Sequence, residues 1–281
     1  MKTLIVTAAD SNFFPLLHGL LSSLHRRGTL PYDIAVFDVG LRAGERGWVA
    51  PRTRHIVKPG WDLPVAQDVR ETKPWLRALT VRPFLPDHFP GYEVYVWLDS
   101  DTWLQDRDAL HAFVAAAAEG GLAAVAHRHP SYRASPKTLA WRRESLRTYF
   151  GEEAVEAAAP NSYLNCGVVA LPAGAPHWAA WRRSFASGIA RTAGRTVCDQ
   201  TALNRAVWSE RLPLTLLPAT CNWLCHLALP EYDSERRLFC EPGGQRTPIG
   251  ILHLAADTRN RFVKATDGTA VRLRYPARIA V

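Results

Sequence analysis

The stretch Tyr95-Val96-Trp97-Leu98-Asp99-Ser100-Asp101-Thr102-Trp103 decides the fold. Val94 to Leu98 is an unbroken apolar run, as expected of a strand buried on both faces of a parallel sheet. It stops at two carboxylates one residue apart. In open α/β sheets ligands sit beyond the carboxyl ends of strands, so this strand delivers both acids to the place where a site belongs. Clustered carboxylates repel one another and lose solvation unless a cation joins them. A divalent ion holding a diphosphate suits them, because hard oxygen ligands favour Mg²⁺ or Mn²⁺. Asp-x-Asp also arises in turns and at helix N-caps. The rest of the chain has to discriminate.

Upstream, Thr3 to Ala9 reads as a first strand closing on Ala8-Ala9-Asp10-Ser11-Asn12. Small residues there let a flat ring approach the backbone. Asp10, Ser11 or Asn12 is placed to cap the next helix, in which Phe14, Leu17, Leu21 and Leu24 recur at helical spacing. For Asp10, capping and contact with a nucleobase are compatible roles. Asp33 to Val39 reads as a second strand, and its Asp38 falls where a first βαβ unit meets a ribose. No Gly-x-Gly-x-x-Gly is present, which disfavours a dinucleotide-cofactor fold. A third strand is expected within Arg52 to Val57. Pro74 then opens a helical segment carrying Arg77 and Arg82. An arginine ahead of two acids is suited to salt-bridge them, or to grip a phosphate or sugar.

Downstream, Gly121 to Ala126 is a further strand. His127 to Asn161 reads as an irregular insert with Tyr132, Trp141, Arg142, Arg143, Tyr149 and Phe150. Inserts beside a site often build an acceptor pocket; surface helices are the plainer alternative. Leu164 to Leu171 is an apolar strand interrupted by Asn165 and Gly167, the mark of a close ligand or backbone approach, or of a β-bulge. Trp178, Trp181, Phe185 and Ile189 form a core stripe. Cys198 precedes a helix whose first turn holds Asp199 and Gln200, where an acid also suits the helix dipole. Gly250-Ile251-Leu252-His253 is a short strand ending in histidine, as β-strand ends elsewhere in the chain end in acids.

The 281 residues are 47% hydrophobic and 21% charged, enough for a substantial α/β core. No apolar run reaches the roughly 18 residues of a membrane span. The first residues lack a signal peptide's apolar core, which predicts a cytoplasmic location. Five unevenly spaced cysteines argue against a disulfide scaffold. A net charge of +8 suits nucleotide-sugar phosphates or peripheral contact with an anionic membrane face. No nucleic-acid-binding pattern is present, so nucleic acid is not expected as a partner.

Taken in order, Ala8-Ala9-Asp10-x-Asn12, Arg82 ahead of Leu98-Asp99-Ser100-Asp101, Asn165-x-Gly167-Val168, Asp199-Gln200-x-x-Leu203-Asn204 and His253 resemble the motifs of the family 8 glycosyltransferases. The resemblance implies a single α/β domain of the GT-A fold, with a mixed, mainly parallel central sheet flanked by helices. Residues 1–126 would form its nucleotide-sugar half, 127–258 its acceptor half and 259–281 a basic tail. The implied reaction moves a hexose from a UDP-sugar to a hydroxyl of a glycan, lipid-linked saccharide or protein acceptor, with retention at the anomeric carbon. Ala8, Asp10, Asn12 and Ser100 would hold the uridine. Asp99, Asp101 and His253 would bind Mn²⁺ (or Mg²⁺). Arg82 would meet the donor phosphate and sugar, and Asn165, Asp199 and Gln200 would line the donor sugar and reaction centre. The chain departs from the family after His253, where Leu254 to Thr258 contain no glycine and Arg259 takes the place of a phosphate-gripping lysine. It also carries Cys166 where alanine is common, a small packing residue in either case. Two rival readings are a sugar-1-phosphate nucleotidyltransferase and a nucleotide-sugar or glycan-binding protein without catalysis. The first lacks its Gly-rich basic loop after the opening strand.

Overall fold

The computed structural model describes residues 1–26, 28, 30–275 and 278–279. The strands are β1 (Thr3–Asp10), β2 (Asp33–Gly40), β3 (His55–Val57), β4 (Val94–Leu98), β5 (Thr102–Leu104), β6 (Leu122–Ala126), β7 (Leu164–Pro172), β8 (Leu214–Leu216), β9 (Trp223–Leu224), β10 (Glu231–Asp233), β11 (Leu238–Cys240), β12 (Ile251–His253), β13 (Phe262–Lys264), β14 (Ala270–Arg272) and β15 (Arg278–Ile279). Seven form the central sheet, in the order β3-β2-β1-β4-β7-β6-β8. β7 runs antiparallel to β4 and β6, and the remaining pairs are parallel. This is the mixed, mainly parallel sheet that the resemblance implies.

Its strands are apolar along their length because helices cover both faces. Side chains alternate across the pleat. Leu4, Val6, Tyr95, Trp97 and Val169 face one way, onto Trp178, Trp181, Phe185 and Ile189 of the helix His177–Arg191. Ile5, Val94, Val96, Leu98 and Val168 face the other, onto Leu17, Leu21 and Leu24 of the helix Phe14–His25 and onto Phe113 of the helix Arg107–Ala118. A second, three-stranded sheet, β5-β12-β9, hangs below the carboxyl end of β4. A third core surrounds it, with Trp103, Trp223, Phe239 and Leu252 packed on Val263 and Val271. Those two valines are the inward residues of β13 and β14. Part of the basic tail is therefore a folded hairpin seated beside the site.

Three local expectations change. The third strand is only His55–Val57. The segment after Pro74 is broken into short turns of helix, because Pro83 and Pro86 each remove an amide donor. The insert 127–161 takes the plainer alternative over most of its length, forming helices Pro136–Phe150 and Glu152–Ala158. Ser135 caps the first by accepting from the Thr138 amide (3.1 Å).

Candidate active site

The two acids are delivered by backbone pairing. Where β4 ends, the Asp99 amide donates to the Gly167 carbonyl at 2.7 Å, and the Thr102 amide returns to the Asp99 carbonyl at 3.0 Å. That turn launches β5, which pairs antiparallel with β12 so that His253 stands opposite Thr102. The Leu254 amide donates to the Asp101 carbonyl at 2.8 Å. Distant stretches of the chain thus converge, and one ligand atom each from Asp99, Asp101 and His253 lies within 4.8 Å of the others. His253 Nε2 is 3.4 Å from Asp101 Oδ1 and 3.8 Å from Asp99 Oδ2.

The imidazole is held from behind. Nδ1 of His253 donates to Asn222 Oδ1 (3.2 Å), which turns Nε2 toward the acids. Asn222 Nδ2 in turn donates to Asn165 Oδ1 (2.9 Å), which also accepts from the Gly167 amide (2.9 Å). Asn165 Nδ2 donates to Gln200 Oε1 (3.2 Å), an oxygen shared with the Cys166 amide (3.0 Å). This line of amides joins β12, β7 and the helix Asp199–Ser209. β7 bulges here: its register against β6 jumps between Ala124 and Val125, which leaves Cys166 to Val168 without partners on β6. Bulge and close approach, offered as alternatives by the sequence, occur together. A Cβ on Gly167 would stand 2.3 Å from His253 Cε1 and 2.6 Å from Asp99 Oδ2.

The electrostatics describe a group suited to a cation. Burial raises the Asp99 pKa, and Asp101 adds to the rise against the opposing pull of Arg82. Burial works the same way on Asp101, but His253 and Arg259 outweigh it and lower that pKa. Burial disfavours the His253 imidazolium, yet the Asp101 and Asp99 carboxylates prevail and raise its pKa. Two carboxylates and one imidazole are a donor set that Mn²⁺ or Mg²⁺ accepts, so the residues present fit the implied ion.

Beside this group lies a cleft of 290 Å³ lined by Ala8, Asp10, Phe13, Trp75, Arg82, Ser100 and Arg259, among others. Arg259 lies with its guanidinium carbon 4.3 Å over the Phe13 ring and an Nη2 3.4 Å from Asp101 Oδ2. Arg82 is buried above Trp97 (4.6 Å to the ring), clamped between Asp99 and Asp199. Burial works against its charge, but Asp199 and Asp99 raise its pKa further still. In both arginines the Nε–H is buried and meets no acceptor.

Four of the residues singled out by the sequence spend their side chains on protein partners. Asp199 is 5% exposed, and its carboxylate is taken by Arg82 Nη1 (2.7 Å) and the Cys166 thiol (3.4 Å). It backs Arg82. Asn12 donates to Asp10 Oδ2 (3.3 Å) and is not among the residues lining the cleft. Asp10 caps the turn before the first helix, accepting from the Phe13 amide (2.9 Å), while still lining the cleft. Asp38 spends its carboxylate on the Gly40 and Leu41 amides (2.9 and 2.7 Å) and on Arg46. Conversely, Phe13, Trp75 and Asn222 were not marked by the sequence. Trp75 lies at the cleft and is 44% exposed, and an exposed tryptophan after a proline was the available signal.

No protein-family model matches this chain, and no curated protein matches it. Solved structures do. A galactosyltransferase, LgtC, in complex with donor and acceptor sugar analogs is similar over 91% of this chain and 88% of its own, with a TM-score of 0.54 at 14% identity. The bifunctional glycosyltransferase WbbM covers 91% of this chain with 46% of its own (TM-score 0.53, 16% identity). Mouse xyloside xylosyltransferase 1 covers 92% of this chain with 98% of its own (TM-score 0.51, 14% identity). The chain has the GT-A fold that these glycosyltransferases share.

Proposed function

We propose that the protein is a metal-dependent retaining glycosyltransferase that moves a hexose from a UDP-sugar to a saccharide hydroxyl. One observation carries the reading: Asp99, Asp101 and His253 converge at the end of β4, beside a cleft lined by the two arginines Arg82 and Arg259. A divalent ion held by that trio would neutralise charge on the departing diphosphate.

The chain's own residues supply the rest. Ala8 leaves room for a base against β1, and Phe13 and Trp75 offer it apolar faces. Ser100 lines the same cleft between the two ligands. Arg259, already balanced by Asp101, stands where a diphosphate would lie and takes the part of the family's lysine. Arg82 has most of its charge answered by Asp99 and Asp199, so its first task is to fix the Asp99 rotamer; its Nε–H remains for the donor sugar or phosphate. Asp199 is the positioning residue behind it. Asn165 and Gln200 are locked by the amide line and border the reaction centre. With its oxygen occupied by two donors, Gln200 is a poor nucleophile. Front-face attack, with the leaving phosphate taking the acceptor's proton, therefore fits better than a covalent intermediate.

The test is a panel of UDP- and GDP-sugars assayed for donor hydrolysis with Mn²⁺ and with EDTA. Turnover of a UDP-sugar that EDTA abolishes, and that Asp101→Ala lowers by more than about 100-fold, is expected. Full activity in EDTA or in Asp101→Ala refutes the assignment. NMR of the product anomer then decides retention.

A further inference from the structure

Among the described residues, unpaired polar atoms also gather away from the cleft. His127 follows β6, His226 follows β9, and Arg142 lies on the helix Pro136–Phe150; the three meet beside Tyr163. The rings of His127 and His226 are 5.8 Å apart, His127 and Tyr163 are 5.3 Å apart edge to face, and the Arg142 guanidinium carbon is 4.9 Å over the Tyr163 ring. Arg142 donates to His127 Nδ1. A guanidinium can only donate, so Nδ1 accepts and the ring proton sits on Nε2. That Nε2–H is buried and has no acceptor. Neither has Arg142 Nε–H, and His226 Nδ1 is likewise unpartnered. Buried donors left unpaired cost stability, and a cluster of them beside a site calls for an explanation.

Its location supplies one. The His127 amide donates to the Tyr163 carbonyl (2.7 Å), two residues before Asn165, and the Cys225 amide donates to the His253 carbonyl (3.1 Å). The cluster therefore borders the Asn165–Gln200 end of the site, and none of its members lines the nucleotide cleft. Charge favours an anion. Between His127 and Phe150 the chain carries Arg128, Arg133, Lys137, Arg142, Arg143 and Arg147 against the single acid Glu144, which pairs with Arg147. Burial holds both imidazoles neutral, with nearby positive charge adding to the effect, so they act as hydrogen-bonding groups and leave Arg142 as the cation. Trp141, 45% exposed, stands 6.4 Å from the Tyr163 ring and presents a flat apolar face of the kind sugar rings stack upon.

We infer that His127, Arg142 and His226 form an acceptor subsite for a saccharide bearing an anionic oxygen group, a carboxylate or a phosphate. Arg142 and His127 donate to the acid, and Trp141 carries the ring. The inference rests on the transferase reading and narrows its acceptor to acidic saccharides.

The experiment titrates methyl β-glucuronide, glucose 6-phosphate and methyl β-glucoside into the protein without donor, followed by calorimetry. At least one acidic sugar should bind more than about 10-fold tighter than the neutral one, and the stronger of the two identifies the acid. Arg142→Gln should bring that ratio close to one. His127→Gln, which keeps a hydrogen-bond donor, should lower it in part and serves if the first variant is unstable. Equal binding of acidic and neutral sugars, no binding of any, or a preference surviving in Arg142→Gln overturns the inference. Donor hydrolysis by the metal-replete wild type is run alongside. Its absence counts against the transferase reading alone, and the binding ratio still decides the subsite.

Discussion

A methyl group on Gly167 has nowhere to go: His253 Cε1 and Asp99 Oδ2 already occupy the space at 2.3 and 2.6 Å. Both obstacles are members of the metal group, so the strain falls on the site itself. Gly167→Ala is expected to destabilise the fold by about 1–3 kcal/mol and to weaken Mn²⁺ binding by more than about 10-fold. Gly174→Ala, where a Cβ meets open space, is the matched control and should change neither. Wild-type melting and wild-type metal affinity in Gly167→Ala would show that the trio is not packed as described. At this scale the sequence was legible wherever a motif sits at a strand end. Asp99 and His253 announce themselves because an apolar run stops at each, and Asp101 by its spacing from Asp99. Asn222 does not, because its partner His253 is 31 residues away and its own loop has no period. The pairing of Asp199 with Arg82 is hidden for a similar reason: its place in a helix's first turn says nothing about the arginine that a separate segment brings against it.

Among the elements, the turn after β12 is the least relaxed part of the site. Ala256 has φ of +56°, a left-handed conformation that costs an L-residue about 1–2 kcal/mol and costs glycine almost nothing. It lies between His253 and Arg259, in the stretch where the family's glycine is absent. Ala256→Gly should stabilise the protein by up to about 1 kcal/mol once glycine's greater freedom in the unfolded chain is offset, a rise of about 2 °C in Tm. A fall in Tm on calorimetric scanning would contradict the backbone path proposed for Arg259. Strands β1, β2, β4, β6 and β7 could be read from largely apolar runs because both sheet faces are covered; the one conspicuous interruption, Asn165 and Gly167 in β7, marks the site. The hairpin β13–β14 could not. Each strand buries a single valine between exposed residues, too short a pattern to distinguish from a basic tail.

For the molecule as a whole, pH acts through the buried imidazoles. Burial, assisted by the charges of His253 and Arg142, pushes the His226 pKa down to about 4, and burial with Arg142 depresses that of His127. In the unfolded chain both titrate near about 6.5. Between the two values the unfolded state binds more protons, so their contribution to stability is present above about 6.5 and is lost as pH falls toward 4. The raised pKa of His253 acts in the other direction: its contribution is present at low pH and is lost as pH rises through the folded value. The difference between wild type and His226→Gln isolates the first effect. In EDTA, Tm of the wild type should fall more steeply than that of the variant between about pH 7 and pH 5. Parallel curves would place His226 in solvent.

The proposed function of this molecule depends on three side chains from two distant segments acting as one cation site. Titration of Mn²⁺ followed by electron paramagnetic resonance measures this without donor, acceptor or turnover. The wild type should take up a single Mn²⁺ per chain, and Asp101→Asn and His253→Ala should each weaken that uptake by more than about 100-fold while remaining folded. Undiminished Mn²⁺ uptake in both folded variants would contradict it.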